Sequence, residues 1–250
     1  MILKKIIFNI CTFGERVFAY LLGKGYGSFT INQEIMAVKS LLSRSPILAI
    51  DVGGNIGNYS KELRSKFPNL EIHIFEPSGL NITKLKSIFN GDGHIHINSL
   101  ALSDNNAEAS LYSDKPGSGL GSLINRRLNH FDIMVENVEE IQTIRFEDYW
   151  KKSLSSRPID LVKLDIEGFE LAALRGFGSA LTNTKVIQFE FGGCNLDTRT
   201  NFQDFYYLFK ELNFKIYRIT PLGLQEITRY REMDEVFLTT NFLAVNNCEI

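Results

Sequence analysis

The stretch that decides the fold is Asp51-Val52-Gly53-Gly54-Asn55-Ile56-Gly57-Asn58-Tyr59-Ser60. The apolar run 47–50 comes before it and predicts a buried strand, and residues 61–67 after it predict a helix. Glycine has no Cβ and the first N–H groups of a helix lack partners, so backbone donors in such a turn lie open to a ligand. A strand, a glycine-rich turn and a helix in this order are typical of nucleotide-binding sites.

The spacing of the glycines distinguishes between nucleotide ligands. A dinucleotide-binding turn has glycine at its first, third and sixth positions, and these positions hold Val52, Gly54 and Gly57. The carboxylate of Asp51 would repel a pyrophosphate and attract an amino or sulfonium group. Glu76 ends a second apolar strand about 20 residues further on, where a carboxylate usually binds ribose hydroxyls. These features favour S-adenosylmethionine over NAD; the alternative is that the turn only connects a strand to a helix.

The composition is that of an ordinary globular protein. The chain has 250 residues, 44% hydrophobic and 22% charged, with a formal net charge of −2. A nucleic-acid-binding protein usually has a basic excess or patch, whereas this chain has short basic pairs such as Arg126-Arg127, which we interpret as solvent-exposed. We therefore predict one large α/β domain and no nucleic-acid partner. The sequence leaves the oligomeric state open.

The three cysteines, Cys11, Cys194 and Cys248, are far apart and form no zinc-binding pattern. A reducing cytoplasm is the simplest location for such a chain. Cys194 lies near the predicted site, but no base is evident beside it in the sequence, so we interpret it as a structural or incidental thiol.

The N-terminal segment carries a basic pair, Lys4-Lys5, followed by apolar residues at close to helical spacing as far as Leu22. The apolar run is too short to span a bilayer, and no clear cleavage site follows it. We expect an amphipathic helix packed on the domain; weak contact of this helix with a membrane surface is the alternative. Residues 1–45 are assigned to a helical extension and residues 46–250 to the main domain.

Strands alternate with helices along most of the chain, which predicts an α/β fold with a doubly wound, mostly parallel sheet. The predicted strands are 47–50, 72–75, 95–102, 138–146, 159–165, 185–191, 214–219 and 242–245. The last two have no obvious helix between them and are expected to pair antiparallel. The glycine-rich segment 113–123 is interpreted either as a mobile gate for the site or as a solvated linker.

Four acidic residues fall at predicted strand ends on one edge of the sheet: Asp51, Glu76, Asp165 and Glu190. Ligands of open α/β sheets bind at the carboxyl ends of the strands, and a terminal carboxylate on a buried strand gains nothing without a partner. These acids therefore predict a site, in which Lys163 is placed to pair with a carboxylate. Helix N-terminal capping is the alternative for Asp165 and Glu167, and Glu170 is expected to cap or to face solvent.

The ordered set of motifs resembles the FkbM family of S-adenosylmethionine-dependent methyltransferases. The motifs are 51–57, Phe75-Glu76-Pro77, 101–104, 160–170 and Gln188-Phe189-Glu190. The resemblance runs from near Ile47 to the C-terminus and implies the class I methyltransferase fold, a Rossmann-like, seven-stranded sheet whose final strand is antiparallel. It also implies S-adenosylmethionine as cofactor and O-methylation of sugars, polyketides or other secondary metabolites, so that the partner would be a small-molecule or glycan acceptor.

Carried over onto this sequence, the resemblance implies a set of cofactor-binding residues. The methionine end of the cofactor would be held by Asp51, Gly53, Asn55 and Gly57. Glu76 would bind the ribose hydroxyls, and Leu102 and Ser103 would lie near the adenine. Gly54 stands where the family more often has alanine, which is expected to add backbone freedom without removing a contact.

The resemblance implies that Asp165 and Glu167 face the methyl group and the acceptor. Either carboxylate is a candidate catalytic base for the acceptor hydroxyl; binding of a divalent metal that acidifies the hydroxyl is the alternative, and no metal ligand is assigned. Three other functions compete. An NAD-dependent oxidoreductase is disfavoured by Asp51 and the missing first glycine, and a non-catalytic nucleotide-binding domain is disfavoured by the presence of both acids. A membrane-surface scaffold rests on the N-terminal helix alone.

Overall fold

The structure is a computed structural model that describes residues 2–27 and 30–248. Met1, Ser28, Phe29, Glu249 and Ile250, which fall within the predicted segments 1–45 and 46–250, lie outside the described residues. The helices are α1 (Ile2–Leu21), α2 (Ile31–Leu41), α3 (Asn58–Lys66), α4 (Gly79–Ile88), α5 (Phe146–Ser153), α6 (Glu170–Phe177), α7 (Cys194–Thr198) and α8 (Phe202–Glu211). The strands are β1 (Leu48–Val52), β2 (Glu71–Phe75), β3 (Ile95–Asn98), β4 (Ala101–Leu102), β5 (Ala107–Ser113), β6 (Asn137–Ile144), β7 (Ile159–Leu164), β8 (Thr184–Phe191), β9 (Phe214–Thr220), β10 (Gly223–Glu226) and β11 (Thr240–Asn246).

The main sheet has eight strands in the order β10-β9-β11-β8-β7-β1-β2-β3. The ladders between β3 and β8 are parallel, and β11 runs antiparallel to both of its neighbours, β8 and β9. This confirms the predicted α/β fold and the predicted antiparallel pairing of the last two long strands. The eighth strand, β10, pairs antiparallel with β9; its sequence, Gly-Leu-Gln-Glu, has no apolar alternation that would predict a strand.

The predicted single strand 95–102 is wrong, because the chain changes sheets within it. β3 pairs with β2 in the main sheet, whereas β4 pairs with β6 in a separate three-stranded sheet, β4-β6-β5. The backbone hydrogen bonds show the change of partner: Asn98 O accepts from Glu76 N at 3.1 Å, and Ser103 N donates to Ile144 O at 3.0 Å. The polar pair Asn98-Ser99 marks the break, between the apolar residues of β3 and Leu100-Ala101-Leu102.

The core lies on both faces of the main sheet. Every residue of β1 and β7 is buried, as expected for central parallel strands covered by helices on both sides. One face packs on α5, α6 and α8, and the other on α2, α3 and α4. Because both faces are closed, the carboxyl ends of the strands form the edge at which polar groups meet a ligand.

The two N-terminal helices differ in their packing. Helix α2 is part of the domain, since its Ile35 and Val38 are fully buried. Helix α1 has no buried residue, so the expectation that it packs on the domain is wrong: its apolar face meets no partner within the described chain. None of the described helices has both the length and the hydropathy required to cross a bilayer.

Candidate functional site

The acidic residues predicted at the strand ends do lie on one edge of the main sheet. Asp51 is the penultimate residue of β1 and Glu190 the penultimate residue of β8, while Glu76 and Asp165 directly follow β2 and β7. These four strands are parallel neighbours. Their carboxyl ends therefore bring the four acids to the same edge.

The first glycine of the loop after β1 allows two loops to touch. Gly53 has a positive φ of 80°, and a Cβ at this position would overlap the backbone carbonyl of Asp165. Its N–H donates to Phe75 O at 2.9 Å. Gly53 therefore joins the ends of β1, β2 and β7, and only glycine satisfies both the backbone conformation and the contact.

The next residues of this loop turn the chain into α3. Asn55 adopts a left-handed conformation with φ 47°, its N–H donates to Glu76 Oε2 at 2.8 Å, and its Oδ1 accepts from Asn81 Nδ2 at 3.1 Å. Gly57, with φ 83°, precedes the first turn of α3, and the Leu85 side chain fills the space beside it. Asn55 thus lines the cavity described below, whereas Gly57 shapes the turn.

Gly54 has a packing role that the sequence did not suggest. A Cβ here would overlap Ile74 Cγ2. The expectation that Gly54 only adds backbone freedom is therefore incomplete, because in this chain the space that an alanine methyl would need is filled by a β-branched side chain.

A cavity of about 670 Å³, part of it open to solvent, lies beside this loop. Residues from four strand ends line it, among them Gly53, Asn55, Glu76, Leu102, Asp165 and Glu167. Glu76 is buried and accepts hydrogen bonds from the backbone N–H groups of Asn55 and Ser78 at 2.8 and 3.0 Å. Burial raises the pKa of Glu76, and these hydrogen bonds oppose that shift.

Two predicted cofactor-binding residues lie behind the cavity wall. Asp51 is buried, accepts from Ser60 Oγ at 2.6 Å and lies 3.9 Å from Lys163 Nζ. Ser103 is also buried, and its hydroxyl donates to Asp104 Oδ1 at 3.3 Å. Neither residue lines the cavity, so the geometry gives both a supporting position.

Asp165 is the exposed acid of the site. Its side chain is 41% exposed, and its Oδ2 accepts from Lys163 Nζ at 3.0 Å, which confirms the expected pairing of Lys163 with a carboxylate. Burial alone would lower the pKa of Lys163, but the charges of Asp165 and Asp51 raise it above its usual value. Lys163 therefore stays charged between the two carboxylates.

Glu167 is the most perturbed acid that faces the cavity. It has a left-handed backbone with φ 54°, and its Oε2 pairs with Arg126 Nη1. Burial raises the pKa of Glu167 to about 7; Arg126 opposes this shift and the charge of Asp165 adds to it. Near neutral pH this carboxyl group therefore exchanges a proton readily.

The partners of Glu167 come from a distant loop that the sequence interpretation did not connect with the site. Ser122 Oγ donates to the backbone O of Glu167 at 2.8 Å, and Arg126 Nε lies 3.6 Å from Asp197 Oδ2. The side chain of Arg126 is 10% exposed, so its interpretation as solvent-exposed is wrong, while Arg127 is exposed. The glycines around Ser122 were the sequence feature that could have revealed these contacts, because they mark a loop that approaches the site.

The glycine-rich segment 113–123 forms part of the cavity wall, through Ser118, Gly119 and Gly121 among others. Two backbone hydrogen bonds between Tyr112 and Ser122, at 2.8 and 3.0 Å, close its base. The segment is therefore part of the site, and its predicted mobility as a gate stays a prediction.

Glu170 supports the loop after β7 from beneath. It is fully buried, and its Oε1 accepts from Ile166 N and Gly168 N at 2.9 and 3.2 Å. Burial raises its pKa to about 7. The expectation that Glu170 caps is therefore met at the loop that precedes α6, whose N–H groups donate to its carboxylate. The expectation that Glu170 faces solvent is wrong.

A second cavity, of about 750 Å³, shares Gly53, Asn55 and Asp165 with the first. Glu34, Lys163, Glu190 and Asn241 are among its other lining residues. Glu34 accepts from Gln188 Nε2 at 2.6 Å and from Asn241 Nδ2 at 3.0 Å. These partners are more than 150 positions away from α2 in the sequence, so periodicity did not reveal that α2 helps to build the site.

Cys194 and the histidines lie outside this chemistry. Cys194 is buried, and burial together with nearby acids raises the pKa of its thiol, which disfavours a nucleophilic role. Glu71, His73 and His96 cluster on β2 and β3, where Glu71 Oε1 lies 2.9 Å from His73 Nε2 and 3.8 Å from His96 Nε2. None of these three residues lines either cavity.

Comparison with known proteins gives a consistent picture. The model of the family described as "Methyltransferase FkbM domain" matches residues 51–216. The chain is 23% identical over 186 residues to "2-O-methyltransferase NoeI" of Sinorhizobium fredii (strain NBRC 101917 / NGR234), covering 70% of this chain and 74% of that protein. It is 26% identical over 141 residues to "Methyltransferase 1" of Beauveria bassiana (strain ARSEF 2860), covering 51% of this chain and 57% of the relative. A solved SAM-dependent O-methyltransferase of Thermotoga maritima shares 12% identity at a TM-score of 0.44, covering 88% of this chain and 66% of that one.

Proposed function

Since this chain belongs to the FkbM methyltransferase family, we propose that it transfers a methyl group from S-adenosylmethionine to a hydroxyl oxygen of a sugar, a polysaccharide or a secondary metabolite. The observation that carries the proposal is the position of Asp165 and Glu167, two carboxylates on the wall of the same cavity as the Gly53 loop and Glu76. Family membership supports methyl transfer and its cofactor. The oxygen acceptor is our inference from these carboxylates and from the name of the relative NoeI.

The residues of the first cavity fit the cofactor. Gly53 and Asn55 present a loop without obstructing side chains, Glu76 offers a carboxylate for ribose hydroxyls, and Leu102 offers an apolar surface for adenine. The acid-rich edge attracts a cationic sulfonium, and it would repel the pyrophosphate of NAD. When bound, S-adenosylmethionine supplies a methyl group that is already electrophilic.

We assign the role of catalytic base to Glu167. Removing a proton from an alcohol requires a base whose pKa lies near the working pH, and burial raises the pKa of Glu167 to about 7. Arg126 pairs with Oε2 of Glu167, and we propose that Oε1 accepts the hydroxyl proton. Asp165, held by Lys163 at 3.0 Å, would orient the acceptor through a hydrogen bond.

The second cavity is proposed to hold the part of the acceptor that does not react, since Glu167 lines the first cavity, where the reacting hydroxyl would lie. The second cavity joins the first at Gly53, Asn55 and Asp165, and its wall carries carboxylate, amide and ammonium groups. Such groups donate to and accept from hydroxyls, which suits a polyhydroxylated acceptor such as a glycan. A cytoplasmic location belongs to the same proposal and has the support of the free cysteines Cys11, Cys194 and Cys248.

A screen of candidate glycans for methyl transfer from labelled S-adenosylmethionine tests the function. We expect a labelled product whose methyl group is on oxygen, and calorimetry should detect binding of S-adenosylhomocysteine but not of NAD. Cofactor binding without transfer to any acceptor class would favour the non-catalytic alternative. If a chelator abolishes activity and a divalent metal restores it, the acceptor hydroxyl is deprotonated with the help of a metal ion instead of by a carboxylate base alone.

A further inference from the structure

Helix α1 exposes a continuous apolar stripe that the rest of the described chain does not cover. Ile2, Ile6, Ile10, Phe13 and Val17 follow one another at intervals of three and four residues, which places them on one side of the helix. Their exposed fractions range from 40% for Val17 to 78% for Ile2. A stripe of large exposed side chains at regular spacing marks an interaction surface rather than scattered surface residues.

The charged residues of α1 lie off this stripe. They are Lys4, Lys5, Glu15 and Arg16, which are three cations and one anion, and the exposed Phe8 lies among them. The acidic residue of α1, Glu15, lies outside the first turn, where an anion would stabilise the helix. An apolar stripe with an excess of basic residues beside it is the composition of helices that lie in the surface of anionic membranes.

Helix α1 joins the domain at the edge that carries the candidate site. The segment after it, 22–27, is held by the loops at that edge: Gly25 N donates to Thr240 Oγ1 at 3.1 Å, and Lys24 Nζ donates to Met233 O at 3.1 Å. Thr240 begins β11, which is antiparallel to its neighbours. The start of β11 therefore lies at the same edge as the carboxyl ends of β7 and β8.

Exposed apolar side chains continue the surface beyond α1. Leu222, Met233 and Leu238 are 79%, 74% and 54% exposed, and they lie on loops at this edge. Arg229 and Arg231 are exposed next to them, and so are Glu226 and Glu232. The apolar character of α1 is thus repeated on the domain where the helix is attached, whereas the basic residues belong to α1.

We propose that α1, together with the loop tips at Leu222, Met233 and Leu238, binds the surface of an anionic bilayer. The apolar stripe enters the boundary of the acyl chains, and Lys4, Lys5 and Arg16 contact the headgroups. A second copy of the chain fits this surface less well. Leu3, Ile7 and Phe18 widen the stripe beyond the narrow seam that one partner helix covers, whereas a bilayer buries a wide arc.

Membrane binding would bring the edge with Asp165 and Glu167 to the lipid surface. An acceptor carried on a membrane lipid, such as a lipid-linked saccharide, would then reach the cavities without leaving the bilayer. This consequence rests on the proposed function, whereas the binding of α1 to lipid does not.

Flotation of the full chain with vesicles tests the proposal. We expect it to float with phosphatidylcholine vesicles that contain phosphatidylglycerol, at least tenfold more than with phosphatidylcholine alone, and less as salt screens the charges. Phe13→Gln with Val17→Gln should reduce flotation at least tenfold, and Asn9→Gln with Thr12→Gln on the polar side should not. Lys4→Gln should weaken binding to the anionic vesicles by about fivefold.

Two further measurements separate the outcomes. Unchanged calorimetric binding of S-adenosylhomocysteine by the variants shows that the domain is folded. Equal flotation of the intact chain and the Phe13→Gln/Val17→Gln variant, no flotation on either vesicle, or a mass in solution that falls from dimer to monomer in that variant would overturn the proposal. Failure of methyl transfer with flotation intact would overturn the proposed function and leave membrane binding standing.

Discussion

The two loops that meet at the candidate site are built in different ways. The loop after β1 is shaped by its own backbone: Gly53, Asn55 and Gly57 all have positive φ angles, and its hydrogen bonds reach the neighbouring strand β2. The loop after β7 also has positive φ angles, at Glu167 and Gly168, but its acids pair with side chains far away in the sequence, such as Arg126. The first loop supplies shape to the site, and the second supplies charge.

This difference has a physical origin. A glycine-rich turn gains its geometry from local dihedral angles, so a few consecutive residues are sufficient. Buried carboxylates destabilise the fold unless hydrogen bonds or opposite charges compensate, and the compensating groups come from wherever the fold places them. Substitutions in the first loop should therefore act mainly on stability and cofactor binding, and those in the second on turnover and its pH dependence.

The largest expected effect belongs to the charged loop. We predict that Glu167→Gln lowers kcat by about 10²–10⁴-fold, because a positioned catalytic base contributes an acceleration of this size. The affinity for S-adenosylhomocysteine, measured by calorimetry, should change little. Asp165→Asn, which removes an orienting group, should lower kcat less. Unchanged turnover in both variants would contradict the assignment of the catalytic base to this loop.

The second prediction concerns the loop that supplies shape. Gly53→Ala should lower the free energy of unfolding by about 2–3 kcal/mol more than Gly91→Ala, because the added methyl overlaps the carbonyl of Asp165. Gly91 is a matched control, since both glycines have φ of 80° and no atom lies within 4 Å of a Cβ at Gly91. Urea denaturation measures both variants. Equal losses would mean that only the backbone conformation matters.

The same difference between the loops explains what the sequence predicted. The central strands, the edge that carries the acids, and the Gly53 loop follow from short segments, because buried strands and tight turns are local patterns. The pairing of Arg126 with Glu167, and that of Glu34 with Gln188, depend on contacts between residues 41 and 154 positions apart. No local pattern contains such contacts, which is why Arg126 was assigned to a solvent-exposed pair and α2 to an extension.

The third prediction tests whether the loop after β1 is close-packed, in addition to having positive φ angles. Gly54→Ala should lower the free energy of unfolding by about 2 kcal/mol, since its methyl meets Ile74 Cγ2. In a double-mutant cycle, Ile74→Ala should cost less in the Gly54→Ala background than in the natural chain. Additive losses in urea denaturation would show that the cost of Gly54→Ala does not arise from the contact with Ile74.

The smallest expected effect is on the pH dependence of kcat, which reports the protonation state of Glu167. A base must be deprotonated to act, so kcat should rise with pH through the pKa of Glu167 at about 7. Arg126 lowers this pKa, and its removal in Arg126→Gln should move the midpoint of the pH–rate profile upward by about one unit.

Arg127→Gln is the matched control for this shift, because Arg127 is exposed whereas the side chain of Arg126 is largely covered. A direct cation effect moves the midpoint in Arg126→Gln and leaves it in place in Arg127→Gln, whereas a general loss of positive charge moves both. A midpoint that stays near 7 in Arg126→Gln would assign the titration to another group of the site. In that case the second loop, like the first, would serve to position ligands, and the contrast between shape and charge would not hold.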